Sequence, residues 1–197
     1  MIDYATNAVT DLTPITALGG TVARSESFGA LSLSENAGLG LASLSLRKSA
    51  EKGQEAPQVF GLPLPGVGKA TAMGAYGAFW TGRDQWMIEA QGKGEVDFAA
   101  MLKSEAPDCS VTEQTDGFVA FEIASANGAG PLEALMAKLV NLDPKAFGPG
   151  QVTRTGLEHM TVFLIRRAED RLAVIGMRTL AGSLWHALSV AARRLEA

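Results

Sequence analysis

The sequence holds a single cysteine, Cys109, and only two histidines, His159 and His186, in 197 residues. One thiol excludes an internal disulfide framework and suits a reducing compartment. A zinc site built from cysteine and histidine needs about four such groups at short paired spacings, and they are absent. His159, beside Glu158 at a strand start, and His186, on the polar side of the last helix, are read as structural. A basic stripe is also missing: 17 Lys+Arg face 21 Asp+Glu, for a net charge of −4. A nucleic-acid protein needs a cationic face to displace phosphate counterions, so that class is excluded. Long apolar runs are scarce too. The most apolar stretch, 160–176, is cut by Arg166, Arg167, Glu169, Asp170 and Arg171, whereas a membrane span needs about 20 mostly apolar residues. Met1-Ile2-Asp3-Tyr4 carries an acid where a secretory signal carries Lys or Arg. A cytoplasmic protein is expected.

What the chain does have is a globular composition, 47% hydrophobic and 19% charged. Residues 1–38 are rich in small and polar side chains, with Ser25, Ser27, Ser32 and Ser34 around Gly29. They read either as a frayed terminus or as an arm ordered by a partner chain, preceding a compact α+β domain over 39–197. Leu39 to Leu46 reads as a strand. Ser49 caps a short helix from Ala50, and Gly61 to Gly66, with Pro63 and Pro65, forms a rigid connector. Strands over 73–81 and 85–90 meet at Gly82-Arg83-Asp84. In the second, Trp86, Ile88 and Ala90 share one face while Gln85, Met87 and Glu89 share the other.

Phe98, Met101 and Leu102 recur at helical spacing, with Glu95 and Asp97 near the start and Pro107 after the end. Asp116-Gly117 signals a hairpin joining Val111-Thr112 to the strand at 118–124. Gly130-Pro131 opens a helix whose apolar face is Leu132, Leu135, Met136 and Leu139. Thr153-Arg154-Thr155 is a short strand. A hairpin over 160–177 turns at Ala168-Glu169-Asp170, and Thr179 caps a final helix striped by Leu180, Leu184, Leu188, Ala191 and Leu195. Helices alternating with antiparallel pairs predict an α+β fold, sheets on one side and helices on the other.

Motifs for chemistry fail on detail. Gly66-Val67-Gly68-Lys69-Ala70-Thr71 lacks the hydroxyl after Lys that a phosphate loop needs, and Pro63 stands where its first glycine belongs. Thr71 replaces the third glycine of a dinucleotide loop. Ser183 sits outside a Gly-x-Ser-x-Gly elbow, and Cys109 has no local cation to lower its pKa. No catalytic, cofactor-binding or metal-binding residue emerges. The tryptophans are more informative: Trp80 and Trp86 bracket a turn, and Trp185 borders the last helix's stripe. They read as core packing or as anchors of a subunit interface, where Trp and Arg are enriched.

Taken together, several segments resemble the gamma subunits of heterotetrameric sarcosine oxidases. They are Leu62-Pro63-Leu64-Pro65, Trp80-Thr81-Gly82-Arg83-Asp84-Gln85-Trp86, Thr115-Asp116-Gly117, Leu142 to Gly150, Thr153-Arg154-Thr155 and Ser183-Leu184-Trp185-His186. They occur in that family's order over roughly 40–190, and a collinear set is more specific than any single motif. Arg83 departs from the family's proline between Gly and Asp, which alters the stiffness of the turn.

The resemblance implies an α+β fold of antiparallel sheets packed by helices, like part of the folate-binding aminomethyltransferase (T-protein) fold. It implies a non-catalytic structural subunit in a complex that converts sarcosine, O2 and tetrahydrofolate to glycine, H2O2 and methylene-tetrahydrofolate. The partners are alpha, beta and delta subunits, which hold FAD, FMN, NAD, tetrahydrofolate and zinc. Interface candidates are Trp80, Arg83, Trp86, Phe147 and Trp185, and the contact regions expected are the N-terminal arm, the Trp80–Trp86 turn and the 142–150 loop. Self-association of the isolated chain through the orphaned surface is a further expectation. The alternatives are a stand-alone folate-binding or one-carbon-transfer protein, with Asp116 for a pterin and Arg83 or Arg154 for a glutamate tail, and the equivalent subunit of a related N-methyl amino-acid oxidase or dehydrogenase.

Overall fold

Short runs of alternating apolar and polar residues build most of this chain, each aiming one side of a strand into a core. A computed structural model describes residues 13–47, 57–143 and 146–196. In chain order its elements begin with β1 (Ser25–Phe28), β2 (Leu31–Glu35), β3 (Leu39–Ser45), β4 (Gln58–Val59), β5 (Leu62–Pro63), β6 (Ala70–Met73), β7 (Tyr76–Gly82) and β8 (Gln85–Gln91). Then come α1 (Phe98–Glu105), β9 (Ser110–Glu113), β10 (Phe118–Ser125), α2 (Ala129–Leu139), β11 (Gln151–Leu157), β12 (Met160–Ala168), β13 (Arg171–Met177) and α3 (Ala181–Arg193). The helix expected from Ala50 lies outside the described residues.

One sheet has six strands in the order β1-β2-β10-β13-β12-β11, and a second has five in the order β6-β7-β8-β3-β9. Pairing within both is antiparallel. On the six-stranded sheet, Leu33, Phe121, Val162, Leu164 and Val174 pack against Leu132 and Leu135 of α2 and Leu184, Trp185 and Leu188 of α3. Its other face, through Ala120, Phe163, Ile165 and Ile175, meets Leu39, Leu41, Phe79 and Met87 of the five-stranded sheet. The outer face of that second sheet carries Ala42, Leu44, Trp86, Ile88 and Ala90, as the alternation in β8 predicts. Being apolar, it also requires cover. Phe98 and Leu102 of α1 supply it together with Val59 and Leu62. The layers therefore run helix, sheet, sheet, helix, which corrects the expectation that all helices lie on one side.

Three local expectations change. Residues 25–35, within the stretch read as an arm, are β1 and β2 of the six-stranded sheet. Leu31-Ser32-Leu33-Ser34-Glu35 alternates, burying Leu31 and Leu33, and Gly29 takes the left-handed φ of +54° at the turn. Asp116-Gly117 does not close a hairpin. β9 pairs with β3 in one sheet and β10 with β2 and β13 in the other, so Thr115–Gly117 is a 3-10 turn passing between sheets. Nor does Thr179 cap α3: it lies inside a 3-10 turn over Arg178–Leu180, and Leu180 occupies the cap position without a side-chain bond.

Among the described residues, backbone hydrogen bonds between the two sheets gather at one side. Lys69 bridges Gln151, Ala70 N–H donates to the Gly150 carbonyl (2.9 Å), and Val152 N–H donates to the Gly68 carbonyl (3.0 Å). Further in, Arg167 of β12 spans the layers. Its guanidinium donates to Glu89 on β8 at 2.5 and 3.0 Å and to Glu122 on β10 at 3.0 Å. Burial works against that charge, but the Glu89 hydrogen bonds and the two carboxylates outweigh it and hold Arg167 protonated above its ordinary range. Gly77 makes room: a Cβ there would stand 2.5 Å from Glu89 Oε1. On the helix side of β12, Arg166 is 2% exposed and donates to the Glu169 carbonyl, while its Nε and Nη1 have no partner among the described residues.

Candidate functional site

Away from the Lys69–Gln151 junction the sheets part, and a cleft of about 720 Å³ opens between the start of β3, the end of β9, the start of β10 and the segment 14–23. A strap over 14–24 forms one wall. Its Leu18 and Arg24 N–H groups donate to the carboxylate of Glu35 (3.1 and 3.3 Å), which is 5% exposed at the end of β2. Arg178 Nη2 donates to the Ile15 carbonyl at 2.9 Å and tethers the other end of the strap. The opposite rim is the 93–97 loop. It lies so close to β3 that a Cβ on Gly40 would stand 2.8 Å from the Lys93 carbonyl oxygen, and this approach brings Glu95 and Val96 to the cleft.

The charge of the cleft is one-sided. Its lining carries Glu35, Glu95, Asp97, Glu113 and Asp116 against the single cation Arg178. Three of these acids are committed to backbone. Glu35 holds the strap, and Asp97 caps α1 by accepting from Ala100 N–H at 2.8 Å. Glu113 accepts from Ala99 N–H (2.8 Å), from Gln114 and Thr115 N–H (3.1 Å each) and from the Thr115 hydroxyl (2.6 Å). Partial burial pushes the Glu113 pKa up, but these donors outweigh it and hold the carboxyl below its ordinary value. Glu95 and Asp116 are exposed, and Asp116 Oδ1 lies 4.0 Å from Arg178 Nη1. Among the described residues, no histidine, cysteine or serine lines the cleft. Among the described residues, no group of three or more His, Cys, Asp or Glu is placed to hold a metal ion.

The residues singled out from sequence scatter. Arg83, with 96% of its side chain exposed, lies at the β7–β8 turn. That is the opposite end of the five-stranded sheet from Asp116, since Gln85 pairs with Ser45 and Gln91 with Leu39. Arg154 is on the edge strand β11 with its guanidinium 5.7 Å from the Phe163 ring centroid. The structure does not bring these three together. Among the interface candidates, Trp86, Phe147 and Trp185 face inward, at 7%, 6% and 3% exposure. Trp86 donates from Nε1 to the Pro65 carbonyl at 2.7 Å, and Trp185 packs edge-on to Phe121 with Arg24 above its ring. Trp80 is half-buried and Arg83 stays at the surface. His159 and His186 line one and the same second hollow, of about 570 Å³, with Ser183 and Glu158, although 26 residues of sequence separate them.

Sequence reading missed Glu35 and Arg178 and placed Glu95 and Asp97 only as acids near a helix start. Asp97, directly before an apolar-periodic run, carried a cap signal. The others had none, because the cleft is assembled from five separate segments.

An antiparallel pair of sheets with helices on its outer faces makes this an α+β protein, and its solved neighbours are of aminomethyltransferase-type fold. A chain of the heterotetrameric sarcosine oxidase from Corynebacterium sp. U-96, solved in complex with pyrrole 2-carboxylate, is similar with a TM-score of 0.68 at 17% identity, over 87% of this chain and 88% of that one. The glycine cleavage system aminomethyltransferase T from Bartonella henselae is similar with a TM-score of 0.55 at 16% identity, over 81% of this chain. This chain matches 48% of that protein, about half its length. No family model and no curated protein matches the sequence. Among the described residues, no helix is long and apolar enough to cross a membrane.

Proposed function

We propose that this chain is a non-catalytic structural subunit of a cytoplasmic, flavin-dependent oxidase complex of the heterotetrameric sarcosine oxidase type, in the position of the gamma subunit. The observation that carries the reading is the match in length. The chain covers 88% of a sarcosine oxidase chain but only 48% of an aminomethyltransferase, and the collinear segments from Leu62-Pro63 to Trp185-His186 agree with it. Alpha, beta and delta subunits are the expected partners, and FAD, FMN, NAD, tetrahydrofolate and zinc belong to them. The reaction of the assembly is oxidation of the sarcosine N-methyl group, with O2 reduced to H2O2 and the one-carbon unit passed to tetrahydrofolate. Obligate interfaces of such assemblies bury about 2,000–5,000 Å², and an isolated subunit with that surface uncovered self-associates.

The folate-binding alternative fits the residues poorly. A folate tail is anionic, the cleft carries five carboxylates and one cation, and Arg83 and Arg154 lie on other edges of the fold. The test is to recover the tagged chain from its native cytosol and record the visible spectrum of the eluate. A yellow eluate with larger partners that releases peroxide on adding sarcosine supports the proposal, and peroxide with only another N-methyl amino acid reassigns the substrate. A colourless lone chain that binds tetrahydrofolate refutes it.

A further inference from the structure

We infer that the cleft between the sheets receives an extended, basic segment of a partner chain, with lysine or arginine side chains set against Glu95 and Asp116 and apolar residues on either side of them. The inference rests on the subunit reading. It begins at the lip. Ile15 and Val96, which line the cleft, are 59% and 43% exposed. They belong to the strap and the 93–97 loop that form the two walls, so apolar surface is gathered at one opening, as at sites of protein contact. Within, the charge is acidic, and the two acids that the fold does not use for its own backbone, Glu95 and Asp116, are both exposed.

Charge complementarity selects the occupant. An anionic segment meets like charge along the cleft, whereas a cationic one finds Glu95 and Asp116 available and displaces nothing but water and the 4.0 Å approach of Arg178 to Asp116. A compact small molecule is a poorer match. Such sites offer a few convergent polar groups with unused hydrogen-bonding capacity, whereas Glu35, Asp97 and Glu113 already accept from the backbone. The chain's own first 12 residues adjoin the strap, but they carry Asp3 and Asp11 and no lysine or arginine, so their charge is wrong.

The test uses the full chain captured with its flavoprotein partners. Benzoylphenylalanine placed at Val96, an exposed lip position, is photolysed in the assembled complex and the joined peptide is sequenced. In parallel, the double variant Glu95→Lys/Asp116→Lys is used for capture at low and high salt. The expected results are a partner peptide carrying Lys or Arg between apolar residues, and capture weakened at least about tenfold at low salt with an unchanged thermal midpoint. The deficit narrows at high salt, because exposed charges are screened. An acidic partner peptide, a peptide from a second copy, a peptide from residues 1–12, or undiminished capture by the variant overturns the docking inference while leaving the subunit reading in place. Failure of the wild-type chain to capture any flavoprotein overturns the subunit reading itself.

Discussion

Replacing Gly77 with alanine tests whether the two layers are locked by a single ion-pair cluster. The new Cβ would stand 2.5 Å from Glu89 Oε1, 2.8 Å from its Cγ and 3.0 Å from its Cδ. No small rotation relieves all three contacts, so Glu89 has to leave its place and surrender both hydrogen bonds to Arg167. Hydrogen bonds to charged groups contribute about 1.5–3 kcal/mol each. Arg167 keeps Glu122, so the loss is closer to one such bond than to two, about 2.5 kcal/mol. Alanine in place of glycine returns about 0.5 kcal/mol by restricting the unfolded chain. The net cost is about 2 kcal/mol, or a fall of about 4–8 °C in thermal midpoint for a chain of this size. In a Glu89→Ala background the clash has no partner, and Gly77→Ala becomes neutral or slightly stabilising. A double-mutant cycle by thermal and urea unfolding reads the coupling directly. Equal losses in both backgrounds would refute the reasoning.

Four further outcomes follow from the same contacts. Trp86→Phe destabilises by about 1–2 kcal/mol more than Trp185→Phe, since Trp86 Nε1 has the Pro65 carbonyl as acceptor and Trp185 Nε1 is buried with none among the described residues; urea midpoints of the two variants check the order. Arg166→Met is neutral or stabilising in thermal melts, because it removes a buried guanidinium with two unpaired nitrogens. Burial raises the Cys109 pKa above its ordinary value against the opposing pull of Lys103. The native thiol should therefore react with a disulfide reagent at pH 7.5 far more slowly than the chain in denaturant. Glu113, with its pKa held down in the folded state, adds stability that is present above the ordinary glutamate value of about 4.3 and is lost as pH falls through the lower folded value. The gap in melting temperature between wild type and Glu113→Gln is accordingly wide at pH 6–7 and closes toward pH 3, and a pH-independent gap would contradict it.

Local pattern carried the strands whose two faces differ and the helices whose stripes are unbroken. In β8, Trp86, Ile88 and Ala90 separate from Met87 and Glu89 as alternation requires. In α3, Leu184 and Leu188 mark the buried side. Partner choice was another matter. Asp116-Gly117 is a good turn signal, but whether the chain turns back or moves to another sheet depends on β3, which pairs with β9 through Leu44 and Val111, far apart in sequence. β1 and β2 went unread because serine fills their outward positions and lowers the apolar contrast. The tryptophans illustrate a different limit, since composition suggests an interface while three-dimensional packing decides whether a ring faces out. Cleft residues such as Glu35 and Arg178 had no local signature at all.

The backbone junction at Lys69–Gln151 gives the sandwich the mechanics of a bound book. Along the spine the layers share main-chain hydrogen bonds, which resist separation and leave little freedom to slide. At the fore-edge, where β2 and β3 frame the cleft, the chain crosses between the covers at residues 36–38 and Thr115–Gly117, and no backbone ladder joins them among the described residues, although Asn36 reaches Gln91 at 3.1 Å. A guest entering there exchanges one set of side-chain contacts for another and breaks no ladder.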